Sequence, residues 1–131
     1  MTDGFVVNIK KAAKDNDYFR KVLFTATKSQ LVLMSLRPGE EIGTEVHKVD
    51  QALYFVDGEG KVVLDGAGQD FAKGAIVVVP AGVEHNVINA GDEPMKLFTI
   101  YSPPQHAAGT VHRTKAAAEE AERLAEASVR A

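Results

Sequence analysis

Between Phe5 and Ser102 the apolar residues fall in short runs of Val, Ile, Leu, Phe and Tyr, cut at close intervals by Gly, Asp, Asn and Pro. Short runs rich in β-branched and aromatic residues predict strands. They are Val6–Ile9, Phe19–Thr25, Leu31–Leu36, Glu45–Val49, Ala52–Asp57, Lys61–Leu64, Ile76–Val79, His85–Asn89 and Met95–Tyr101. Pro38-Gly39, Asp57-Gly58-Glu59-Gly60, Asp65-Gly66, Pro80-Ala81-Gly82 and Ala90-Gly91-Asp92 supply the preset or positive φ that turns between them need. No helices alternate with these strands, which excludes a Rossmann-type sheet. A sandwich or barrel follows, because closure is what satisfies so many strand edges.

After Pro103-Pro104 the pattern changes. Lys115 to Arg130 is rich in Ala, Glu and Arg, lacks Gly and Pro, and follows Thr114 in N-cap position, which predicts a C-terminal α-helix over 115–130. Its apolar stripe of Ala117, Ala121, Leu124 and Ala125 is thin, so the helix has little with which to bind the strands. The whole reads as one domain over 1–131, with N-terminal strands within 5–28, a barrel core at about 30–102 and the helix. A chain of 131 residues, 45% of them hydrophobic, can close one core without staples, so a metal here would be functional before structural.

Charge and cysteine usage narrow the chemistry. Fifteen basic and eighteen acidic residues are interspersed, for a net charge of −3, which argues against a nucleic-acid partner. The absence of cysteine removes disulfides, thiolate zinc sites and cysteine nucleophiles, leaving His, carboxylate, amide and hydroxyl groups. No apolar run approaches the roughly eighteen residues of a membrane span, and the first residues lack a basic flank followed by a long apolar stretch. The expectation is a soluble cytoplasmic protein without a membrane partner.

Two blocks concentrate the residues that could do chemistry. In the first, RPGEEIGTEVHKVDQALYFVDGEG, Glu45 and His47 are two positions apart and share one face of a strand, and Gln51 keeps that parity. A register slip of one residue would turn Asp50 inward instead. In the second, GAIVVVPAGVEHNVIN, a tight turn leads to a returning strand that begins at His85; laid beside Glu45 and His47, it brings a fourth ligand. Leu53, Phe55, Val87, Phe98 and Tyr101 take the inward parity near these groups and predict a mostly apolar wall suited to a small organic molecule. Gly39, Gly58, Gly74, Pro80 and Gly82 read as turn formers, and Asn89 as a turn or inter-strand hydrogen-bonding residue. His106 and His112 lie beyond the strand pattern and read as rim or surface residues.

Together the two blocks resemble the paired motifs of the cupin superfamily, over about residues 30–102. The second motif is complete. The first departs at Glu45, where cupins usually carry the first His of His-x-His, and at Gln51, where they carry Glu. The resemblance implies an all-β jelly-roll barrel that holds one divalent metal, here through Glu45, His47, Gln51 and His85. Two imidazoles, a carboxylate and an amide oxygen suit Mn, Fe, Ni, Co, Cu or Zn in an open site better than a closed structural zinc. It further implies action on a small oxygenated organic substrate, as a dioxygenase, isomerase or lyase, with Glu45 as the group able to accept a proton. The rival is a non-catalytic module that binds or senses a small molecule with the same site. Apolar surplus at Phe5, Phe19, Phe24 and Leu31, together with the way cupins pair through N-terminal strands, implies a homodimer.

Overall fold

The computed structural model describes residues 3–130, with side chains as far as 127. It contains α1 (Ile9–Asp15), β1 (Arg20–Thr25), β2 (Gln30–Leu36), β3 (Asp50–Asp57), β4 (Glu59–Leu64), β5 (Ala67–Ala72), β6 (Ile76–Val79), β7 (His85–Asn89), β8 (Met95–Ser102), β9 (Val111–His112) and α2 (Lys115–Arg130). The strands pair antiparallel in two sheets, in the orders β6-β3-β8-β2-β1-β9 and β5-β4-β7. The chain is an all-β jelly-roll barrel with a C-terminal helix, as the sequence predicts.

Period-two alternation sorts the strand residues into an inner and an outer face. On the inside, Val32, Met34 and Leu36 of β2, Leu53 and Phe55 of β3, and Met95 and Leu97 of β8 join Val62 and Val87 of the smaller sheet in the main core. The register grades this interior from one end to the other. Leu36 faces Met95, Met34 faces Leu97 and Val32 faces Thr99, while Tyr101 sits between Gln30 and Gln51. One end of the barrel is therefore apolar, and the other ends in a row of buried polar side chains.

Four expectations need correction. Val6–Ile9 is not a strand: residues 3–8 have no regular structure, and Ile9 opens α1. Asn8 caps that helix by accepting a hydrogen bond from the Lys11 N–H, and Ile9, Ala12 and Ala13 pack on Leu33, Val56, Tyr54 and Phe98 outside the larger sheet. Phe98 belongs to this outer cluster and not to the barrel wall. Glu45–Val49 is likewise no strand; it touches β7 through an isolated bridge at Glu45. Finally, α2 faces the barrel with Ala118, which is buried in the main core, while Ala117, Leu124 and Ala125 are exposed. Thr114 does cap it, its Oγ1 accepting from the Ala117 N–H.

The sequence reading also passes over β5, whose only partly buried side chain is Phe71. Asp65 and Gly66, with φ of 47° and 84°, form the two-residue turn that folds β5 back on β4, as a hairpin of this twist requires.

Candidate functional site

The polar end of the barrel is assembled from backbone contacts first. Glu45 and His85 exchange both backbone hydrogen bonds, each at 2.9 Å, so their side chains leave on the same face. Asn86 fixes the segment before Glu45, its Oδ1 accepting from the Gly43 N–H and its Nδ2 donating to Glu41. His47 is fastened by the Pro80–Val83 turn: Gly82, at a φ of 89° that few side chains tolerate, donates its N–H to the His47 carbonyl at 2.8 Å.

These contacts bring three of the four sequence-predicted ligands side by side. Glu45 Oε2 lies 3.0 Å from His47 Nε2, and the His47 and His85 rings are 5.0 Å apart. His85 is 5% exposed and its Nδ1 is 2.9 Å from the Val83 carbonyl, which can only accept; Nδ1 therefore donates, and in the neutral ring Nε2 is the nitrogen with the lone pair. Burial alone would raise the Glu45 carboxyl, but the His47 hydrogen bond and the nearby His47, Arg20 and His85 outweigh it and hold the group below its ordinary range.

Gln51, the fourth, is 4% exposed and points inward. Its Nε2 donates to Thr99 Oγ1 at 3.0 Å, while its Oε1 is buried without a hydrogen-bond partner. Asp50 faces out, accepting from the Ala81 N–H at 2.9 Å, so it does not compete for the interior. As the side chains stand, no three His, Cys, Asp or Glu among the described residues form a group that could hold a metal ion, and Glu45 and His47 pair with each other.

Several groups at this end escape a reading by motif. Tyr101, expected as wall, is fully enclosed and meets the His47 ring edge-on at 5.8 Å and the His106 ring at 5.2 Å. Burial pushes its phenol well above the ordinary range. His106 is not a surface residue: it turns in against Tyr101, and its Nε2 is buried without a partner. Burial, reinforced by Arg20, brings its imidazole down to about 3, so it is neutral at physiological pH. Gln30, 1% exposed, holds that loop in place, accepting from the Gln105 and His106 N–H groups and donating to the His106 carbonyl and Thr25 Oγ1. His112 stays at the rim, half-buried, with Nδ1 3.1 Å from Arg20 Nη1. On α2 the exposed Glu122 has its carboxyl raised by partial burial and by the charge of Glu45. Arg20, Gln30 and Thr99 each put a polar group at an inward position of an otherwise apolar strand, and that break in alternation is the signal that could have found them.

Two surface clefts lie elsewhere. One of about 540 Å³, between Asp57, Glu59, Lys73, Asp92 and Lys96, is at the apolar end of the barrel. The other, about 420 Å³, runs beside α1. The buried polar groups, rather than these clefts, mark the candidate functional end.

A family model described as a cupin domain matches residues 32–101, and the chain belongs to the cupin family. It is 48% identical over 126 residues to YrkC of Bacillus subtilis, a match covering 90% of this chain and 67% of that protein. It is 36% identical over 112 residues to L612 of Acanthamoeba polyphaga mimivirus, covering 82% of this chain and 70% of that one. Among solved structures, BH2720 of Bacillus halodurans matches with a TM-score of 0.88 and 42% identity, covering 90% of this chain and 95% of that chain. No helix among the described residues is long and apolar enough to cross a membrane.

Proposed function

We propose that this cupin binds one divalent metal at the polar end of its barrel and acts there on a small oxygenated organic molecule. The observation that carries the reading is Gln51 Oε1, a buried amide oxygen without a partner, at the end of the barrel where His85 keeps an Nε2 lone pair. A buried acceptor left unsatisfied costs about 1–3 kcal/mol, and a cation would recover it. The Val83 carbonyl fixes the His85 tautomer in the way that metal-ligating imidazoles are commonly fixed.

The residues that would hold the ion are Glu45, His47, Gln51 and His85. Glu45 and His47 would first have to release each other, exchanging the proton between them for the cation. The bound ion, whether Mn, Fe, Ni, Co, Cu or Zn, would polarise a substrate oxygen as a Lewis acid. Glu45, ionised at neutral pH, is the proton acceptor in this reading, whereas the Gln51 amide takes no proton. Tyr101 stays a phenol and shapes the wall. Whether the reaction is an oxygenation, an isomerisation or a lyase step is a choice for substrate screening.

Elemental analysis tests the reading. Protein produced without supplementation, or reconstituted with these ions, should hold about one equivalent of metal, lost in His47→Ala and in His85→Ala. A chain that takes no metal even after reconstitution would refute it and favour a metal-free binding barrel.

A further inference from the structure

Arg20 stands at the start of β1, opposite the core residue Met34, and only 2% of it is exposed. A guanidinium so enclosed normally has a carboxylate against it, because an uncompensated buried charge is costly. Here no ion pair among the described residues includes it. Glu45, the acidic group in the barrel wall nearby, is engaged by His47 instead. The guanidinium stacks over the Phe19 ring at 5.3 Å and donates through Nη1 to His112 Nδ1. Nε remains buried without a partner.

Which nitrogen is occupied matters. Nη1 is the nitrogen turned away from the Nε–H, so the bond to His112 leaves the Nε–Nη2 edge without a hydrogen bond. That edge carries the two parallel N–H groups that grip a carboxylate side-on. His106 Nε2 is a second buried nitrogen without a partner, and the His106 ring packs against Tyr101 of the same site.

We propose that Arg20 anchors the carboxylate of a small organic acid at this end of the barrel, through Nε and Nη2, with His106 Nε2 as a further polar contact. The proposal rests on reading the polar end as a ligand site, and it narrows the substrate class to organic acids. A planar, singly charged carboxylate matches the Nε–Nη2 edge. Tetrahedral phosphate matches its two coplanar N–H groups less well.

The test is calorimetric titration of metal-free and metal-loaded protein with malonate, pyruvate and benzoate, with pyruvamide as the uncharged control and inorganic phosphate as the competing anion. Arg20→Lys keeps the charge but loses the paired N–H edge. At least one carboxylate should bind wild type, pyruvamide should not, and Arg20→Lys should weaken binding by about tenfold or more, equivalent to about 1.4 kcal/mol. The Nε–Hε NMR signal of Arg20, assigned by its absence in Arg20→Lys, should move when that carboxylate is added to wild type. This second readout holds even if the variant folds poorly. Absence of binding by all three acids, tighter binding of phosphate than of any of them, or equal affinity in a folded Arg20→Lys would overturn the proposal. Arg20-dependent binding in a chain that takes up no metal would defeat the metal reading alone, and metal uptake without carboxylate binding would defeat this inference alone.

Discussion

Glu45 and His85 face each other across a single two-bond bridge, although neither the segment before Glu45 nor the one after it is a strand. The bridge sets both side chains toward the interior, where Glu45 meets His47 at 3.0 Å. The Glu45 carboxyl is held below its ordinary value of 4.5. A group depressed by folding stabilises the native state above its unfolded pKa, and that stabilisation is lost as pH falls through the folded one. The gap in stability between wild type and Glu45→Gln should therefore be widest above about pH 4.5 and narrow below it. Urea unfolding at pH 7, 5 and 3.5 measures this; a gap that widened toward acid would contradict the ion pair.

His106 is shifted in the same direction for a different reason, since burial and not an ion pair disfavours its charged form. Its pKa, near 3 in the fold, lies below the ordinary 6.5, so the unfolded chain binds a proton first and stability drains away as pH falls below 6.5. His106→Phe removes the titrating group while keeping a ring against Tyr101. Its melting temperature, relative to wild type, should rise steadily between pH 7 and pH 5. An unchanged difference across that range would place the imidazole in water.

Gln30 makes four hydrogen bonds that tie β2 to the Gln105–His106 loop. Gln30→Ala leaves those loop groups without their partners and opens a void, and should cost about 2–4 kcal/mol in denaturant unfolding. Amide exchange should speed up at Gln105 and His106, with little change in β4 or β7. A loss under about 0.5 kcal/mol would mean that water replaces the side chain freely.

We propose that the homodimer expected from the sequence forms through the outer face of the larger sheet, with Phe24 and Leu31 of that expectation among its residues. Phe24, Leu31, Ile100, Ala52 and Val78 are paired in one row across it, and at the β6 edge Ile76 and Val78 are 63% and 61% exposed. A second copy placed on this row would cover an apolar edge that lone soluble domains usually protect. Sedimentation should give about twice the 14.1 kDa chain mass, and Val78→Lys should return the monomer. A wild-type chain that sediments as a monomer at micromolar concentration would contradict it.

The barrel was legible where apolar alternation is strong: Ile76–Val79 and His85–Asn89 are predicted with the bounds observed, and β2, β3 and β8 within two residues at either end. The same signal failed for α1, where Val6, Val7 and Ile9 suggest a strand. It is the Asn8 cap and the docking of Ala13 against Leu33 and Val56 that select the helix. Strand parity placed Gln51, and the paired motifs placed Glu45, His47 and His85. Spacing could not place His106, because its direction is set by Gln30, 76 positions away in sequence. Arg20 was hidden differently: a charge at a strand end reads as solvated, and only the closed barrel shows it enclosed.

The central claim is that His47 and His85 share one metal with Gln51 and Glu45. Electron paramagnetic resonance of the copper(II)-loaded protein tests it most directly, because the unpaired electron couples to ligand nitrogens. The wild-type spectrum should carry couplings from both imidazoles, and His47→Ala and His85→Ala should each lose one of them. Couplings unchanged in both variants, or a spectrum of hydrated copper in wild type, would contradict a metal site at this end of the barrel.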